Sequence, residues 1–221
     1  MKISKQTLSI VKNFSTINAS LAVKPGSVLK TISPQNNIMA SASVSEAFPV
    51  PFAIYDLNQF LGALSLFEDP DFEFGDQFVT ISSGKNSVRY FYADESMIKT
   101  AGEKKITLPS VDVSFGVTSS QLSAILKASS VLGVPEVAVI SDGSKLQLVA
   151  VDNKNTTSNR YAIDLDGEAT GSFKVIFKAE NLKLLPGDYA VEICSKGISR
   201  FASESLGVEV FIAIEQSSSF K

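Results

Sequence analysis

Histidine is absent from this 221-residue chain, and cysteine occurs once. The first absence excludes Ser-His-Asp and Cys-His catalysis, His-ligated zinc and axial-histidine haem together. The second excludes an internal disulfide and a multi-thiolate metal site. The single Cys194 lies in the alternating run YAVEICS, a context that predicts a buried, unreactive thiol with nothing nearby to lower its pKa. Long apolar runs are missing as well, and no stretch approaches the roughly 20 residues of a membrane span. The N-terminal MKISKQTLSIVKNFS carries spaced lysines and no signal-peptide core. With neither a signal nor a disulfide framework, the chain reads as intracellular. An excess of positive charge is also lacking. The net charge is −3 and the pI about 5.1, so bulk charge does not grip nucleic acid, although a local basic face is compatible with that sum.

Catalytic and metal motifs are equally sparse. SGKNS at Ser83 resembles the end of a P-loop, but the upstream glycine is missing and Asn86 follows the lysine where Ser or Thr is required. Glu68, Asp69, Asp71, Glu73 and Asp76 cluster without EF-hand spacing and read as a solvated loop. Three Asn-X-Ser/Thr triplets, at Asn13, Asn18 and Asn155, carry no weight in an intracellular chain. No cofactor, metal or enzymatic activity is expected.

What is present is a core. Hydrophobic residues make up 44% and charged residues 19% of a chain long enough for one large or two small domains, which excludes global disorder. Four segments have helical period. In Ser4–Ile17, Thr7, Ile10, Val11, Phe14 and Ile17 share one side, while Lys5, Ser9, Lys12 and Thr16 form a stripe on the other; Ser4 suits the N-cap. In the second, from Asp56 to about Phe67, Leu57, Phe60, Leu61 and Leu64 make the apolar face, with Asp56 as N-cap. In Ser119–Leu132, Leu122, Ile125, Leu126 and Leu132 line one face opposite Lys127, and Gly133 and Pro135 end the helix. The fourth is short, Lys178–Leu185, closed by Pro186-Gly187. Between them lie short alternating or apolar strand runs punctuated by turn sequences such as KPGS, SDGS and LPGD. Many antiparallel strands with a few helices define an α+β fold. The polar stretch Ala93–Pro109 is the connector, dividing the chain into domains 1–107 and 108–221.

The two halves repeat each other. Laid over one another, Gln6 meets Gln121, Ile10 meets Ile125, Val11 meets Leu126, Lys12 meets Lys127 and Ile17 meets Leu132. Further on, AIYDLNQFL from Ala53 lies over VIFKAENLK from Val175. Each half reads helix, strands, helix, strands, with Lys12 and Lys127 in the same phase. A phosphate backbone recognises such a lysine-bearing face without reading bases.

MKISKQTLSIVKNFSTIN at the start, AIYDLNQFLGALSL from Ala53 and LKLLPGDY from Leu182 together resemble the DNA polymerase sliding clamps of large tailed bacteriophages. The middle phrase is the most specific, and the order of elements agrees over the whole chain; the acidic EDPDFEFGD segment and the connector look less similar. The resemblance implies two similar clamp domains per subunit, each with two helices and antiparallel sheets. It implies a homotrimeric ring around duplex DNA, with helices lining the hole. An ATP-dependent clamp loader would open it, and the ring would tether the DNA polymerase in the host cytoplasm and serve late-transcription factors. Its DNA-facing residues would be Lys5, Lys12 and Lys127, with Lys178 and Lys183 of the short fourth helix as secondary candidates. Partner peptides would enter a pocket that no motif here locates; Met97 and Ile98 in the connector mark one region it could border. An acidic pI is no contradiction, because a ring holds DNA by topology. The alternative is a phage structural or scaffold protein with a duplicated α+β fold and no DNA contact.

Overall fold

In the computed structural model, residues 1–102, 106–166 and 171–220 are described. The chain divides into two compact units, Met1–Glu103 and Lys104–Lys221.

The first unit opens with α1 (Lys5–Ile17). Ser4 caps it, its side chain accepting the Thr7 N–H, and the residues it buries are Thr7, Ile10, Val11, Phe14 and Ile17, the side read from the periodicity. Next come β1 (Leu21–Val23), β2 (Gly26–Ile32), β3 (Ile38–Phe48), β4 (Phe52–Ile54), α2 (Leu57–Leu64), β5 (Asp71–Phe74), β6 (Phe78–Ser83) and β7 (Asn86–Phe91). β1 pairs with β4, β2 with β3, and β5-β6-β7 form a three-stranded antiparallel sheet. Helix α1 packs on α2 and β3. The rings of Phe48, Phe52 and Phe74 lie 5.2–5.8 Å apart and tie β3, β4 and β5 into one core. β5 corrects the expectation of a solvated acidic loop. Its residues alternate, with Asp71 and Glu73 exposed and Phe72 buried. The acids occupy the outward positions of a strand, so charge masks the period of two.

The second unit contains β8 (Val113–Val117), α3 (Ser119–Leu132), β9 (Glu136–Asp142), β10 (Leu146–Val151), β11 (Tyr161–Leu165), β12 (Ser172–Lys178), β13 (Tyr189–Cys194), β14 (Ile198–Ser203), β15 (Val208–Ala213) and β16 (Ser219–Phe220). One antiparallel sheet runs β11-β10-β9-β12-β16, and β15-β14-β13-β8 pair in that order. α3 packs on β9, β10 and β11, burying Leu122, Ile125 and Ser129; Leu126 and Leu132 are only half-buried. Gly133 ends it in the left-handed conformation, φ 66°, where a Cβ is disfavoured. Cys194 is buried, as expected. The expectation that nothing lowers its pKa is corrected: burial pushes the thiol up, but hydrogen bonds from Ser110 and the Lys196 backbone outweigh it and hold the thiol below its ordinary value. Ser110 Oγ lies 3.2 Å from Cys194 Sγ.

The fourth expected helix is absent. Lys178 is the last residue of β12, and only a 3₁₀ turn, Ala179–Asn181, follows. The repeat explains the difference. Lys178 stands where the first unit has Asp56, whose carboxylate accepts the Gln59 N–H and caps α2. A lysine side chain accepts nothing, and Lys178 makes no side-chain cap; without a cap, and with Pro186 close behind, nucleation fails. Among the described residues, the second unit therefore carries one α-helix. The duplication is otherwise written into the backbone. Leu57 N–H donates to Ala19 O at 2.8 Å, and its repeat counterpart Ala179 N–H donates to Pro135 O at 2.9 Å.

Candidate nucleic-acid interface

α1 and α3 each pack one side against their own unit and leave the other open. On α1 the open side shows Lys5, Ser9, Lys12 and Thr16; on α3 it shows Ser120, Ser123, Lys127 and Ser130. Among the described residues, Lys5, Lys12 and Lys127 make no ion pair. None of the chain's 23 Asp and Glu lies within the three described α-helices, and neither α1 nor α3 has an acid in its first turn. That omission is informative, because carboxylates in a first turn normally stabilise a helix through its dipole.

The N-termini obtain their negative partner from elsewhere. Glu46 reaches from β3 to accept the Ser4 N–H and, at 2.5 Å, the Thr7 hydroxyl. Burial pushes the Glu46 carboxyl up, but the hydrogen bonds from Thr7 and Ser4 outweigh it and lower its pKa from 4.5 to about 2. At the matching place on α3, Asp188 accepts the Ser119 N–H at 2.7 Å, beside a Thr118–Gln121 capping box. Both helices are thus anchored by carboxylates from other segments, and their open faces carry lysine, hydroxyl and amide groups.

The remaining candidates divide. Lys178 is exposed but sits at the end of a strand, and Lys183 is half-buried beyond the 3₁₀ turn; neither belongs to a helical stripe. Lys2 lies 3.1 Å from Asp69 and 3.4 Å from Asp71, so the acidic segment neutralises it. In the connector, Ile98 is buried and Met97 is exposed, and neither lines the groove that the connector does form. That groove, of about 260 Å³, lies between Lys24, Val28 and Lys30 on one side and Glu95, Lys99 and Gly102 on the other. Sequence reasoning missed it because its basic residues come from a turn, a strand and the connector, with no shared period. No described helix is long and apolar enough to cross a membrane.

Residues 114–216 match the family described as gp45 sliding clamp, C terminal, and residues 3–74 match that described as DNA polymerase processivity factor. The chain is 33% identical to the sliding clamp of Vibrio phage KVP40, covering 97% of this chain and 99% of that one. It is 31% identical to the sliding clamp of Enterobacteria phage T4, covering 89% of each. Among solved structures, A. fulgidus PCNA bound to the C-terminal region of FEN-1 superposes with a TM-score of 0.71 at 13% identity over 96% of each chain, which shows the two-domain clamp fold. By identity over nearly its whole length, the chain belongs to the phage sliding clamps, the processivity factors of DNA polymerase.

Proposed function

We propose that this clamp closes as a homotrimer around duplex DNA and tethers the replicative polymerase while sliding. Each unit presents its lysine-bearing helix to the phosphates, through Lys5 and Lys12 of α1 and Lys127 of α3. One observation carries the reading: the helices hold lysines and no carboxylate in a chain of net charge −3. A scaffold protein without DNA contact gives no reason for that segregation. Lysine and hydroxyl groups form transient, water-bridged phosphate contacts without reading bases, which suits sliding. Lys178 would add an exposed charge near the end of α3, and Lys183, half-buried, would contribute less. The protein acts as a tether and carries out no chemistry. An ATP-dependent loader would open the ring in the cytoplasm of the infected host. Polymerase, loader and late-transcription factors would share it in turn.

Sheet edges support the closure. β7 ends the sheet of the first unit and β11 ends one in the second. Each shows a large apolar side chain, Phe91 at 65% and Tyr161 at 42% exposure. Unpaired edges invite pairing, and two different edges meeting head-to-tail give a heterologous contact, which makes a ring when its rotation closes and a filament when it does not. Light scattering over a dilution series should give three subunits at high concentration. Phe91→Glu should give one subunit at the same concentration with an unchanged circular-dichroism spectrum. A monomer or a twofold dimer at every concentration of the parent would contradict the ring.

A further inference from the structure

The edges of β7 and β11 differ in chemistry. On β7, Val88 and Tyr90 are half-buried. The Tyr90 ring packs on Phe60 at 5.1 Å and its hydroxyl donates to Gln59 Oε1 at 3.1 Å, so this side of the strand faces α2. Arg89 and Phe91 stand on the opposite side, both exposed. The Arg89 guanidinium lies 5.1 Å from the centre of the Phe78 ring, which contacts the Phe91 ring at 5.4 Å. On β11, Leu165 is buried and Ile163 half-buried, while Ala162 and Asp164 are exposed on the other side. Asp164 accepts from Gln147 Nε2 at 2.6 Å. Among the described residues, neither Arg89 nor Asp164 makes an ion pair. One edge thus offers an arginine beside a large ring, the other an aspartate beside a small alanine.

Antiparallel pairing continues the pattern of the sheets that the two strands end. Pairing β7 with β11 of a second copy must also keep buried side with buried side, which permits only every second register. With Arg89 opposite Ala162, Phe91 meets Arg160 and Asp164 faces Ser87. With Arg89 opposite Asp166, Phe91 meets Asp164, a carboxylate against a ring. With Arg89 opposite Asp164, charge meets charge and Phe91 fits over Ala162. On the buried side of that register Val88, Tyr90 and Tyr92 meet Leu165, Ile163 and Tyr161. We infer that this last register is the contact between copies, and that the Arg89–Asp164 pair selects it. The inference rests on the edge-to-edge ring proposed above and adds what gives the contact its direction. A twofold β7 contact centred on Arg89 sets arginine against arginine, and a twofold β11 contact centred on Asp164 sets aspartate against aspartate. Like charges directly opposite are destabilising, so each edge favours the other over its own kind.

Cysteine pairs in the full-length chain read the register. Directly opposite residues have Cα atoms about 4.5–5.5 Å apart, within disulfide range, whereas diagonal neighbours at about 7–8 Å fall outside it. Phe91→Cys with Ala162→Cys should therefore form covalent trimers under mild oxidation at least about tenfold faster than Phe91→Cys with Asp164→Cys or with Arg160→Cys. Charge reversal reads the selection. Arg89→Glu and Asp164→Arg should each raise the concentration needed for half-assembly about tenfold, with an unchanged circular-dichroism spectrum, and the two together should restore it to within about threefold of the parent. A trimeric parent in which a shifted pair links fastest, or in which the double reversal does not restore assembly, overturns the register and leaves the ring standing. Dimers linked through Phe91→Cys alone would mark a twofold β7 contact and also overturn it. A parent that is never trimeric and links through none of the pairs removes the ring and the register together.

Discussion

The double variant Lys12→Ala, Lys127→Ala should load onto circular DNA about tenfold less efficiently than the parent at low salt. It removes two charges from each subunit, so the proposed trimer would lose them from every helix that faces the DNA in that reading. Each lysine that neutralises a phosphate steepens the salt dependence by about one unit in a log–log plot. The variant should therefore show a shallower dependence, and its deficit should shrink as salt rises and screening takes over. The loss should be the same on every sequence, because phosphate contacts carry no base information. Folding and trimer formation should not change, since both side chains are exposed and lie opposite the buried face of their helix. Loading and processive synthesis measured at several ionic strengths check this. Parent-like behaviour at every salt concentration would show that the stripe is only a hydrated surface.

Glu46 should have the largest effect on stability of any single surface-distant carboxylate in the first unit. It is 9% exposed, and its pKa is lowered from 4.5 to about 2 by hydrogen bonds from Thr7 and Ser4 that outweigh its burial. A group with a depressed folded-state pKa stabilises the fold above its unfolded value and loses that contribution as pH falls through the folded value. The stabilisation should thus be complete above about pH 5 and decline toward pH 2, with a total of roughly 3 kcal/mol. Glu46→Ala should lower stability at neutral pH by a similar amount, leaving the Ser4 N–H and Thr7 hydroxyl without their partner. It should also flatten the acid limb of the stability curve between those pH values. Urea unfolding from pH 2.5 to 7 measures both; parallel curves for parent and variant would mean that the carboxylate does not hold α1.

The parts legible in the sequence were those governed by local period. The buried side of α1 and the span of α3 follow from spacing alone, and so does the phase of Lys12 and Lys127. What was not legible depended on a single residue or on distant partners. β5 hid behind its exposed Asp71 and Glu73. The last expected helix failed because Lys178 replaces an Asp56-like cap, a difference of one side chain in an otherwise matching repeat. Glu46 meets Ser4 across 42 positions, and Asn18 meets Lys99 across 81, separations over which no periodicity extends. Lys2 looks like part of a basic N-terminus until the fold brings Asp69 and Asp71 to it.

Retention on DNA of different topology tests the central claim most directly. The clamp is loaded on nicked circular duplex by an ATP-dependent loader, separated from free protein by gel filtration, and half of the DNA is then cut once. A ring held by topology stays on the circle and runs off the linear product within minutes, at physiological salt and with no change in DNA concentration. Equal retention on circular and linear DNA, or retention on neither, would contradict it.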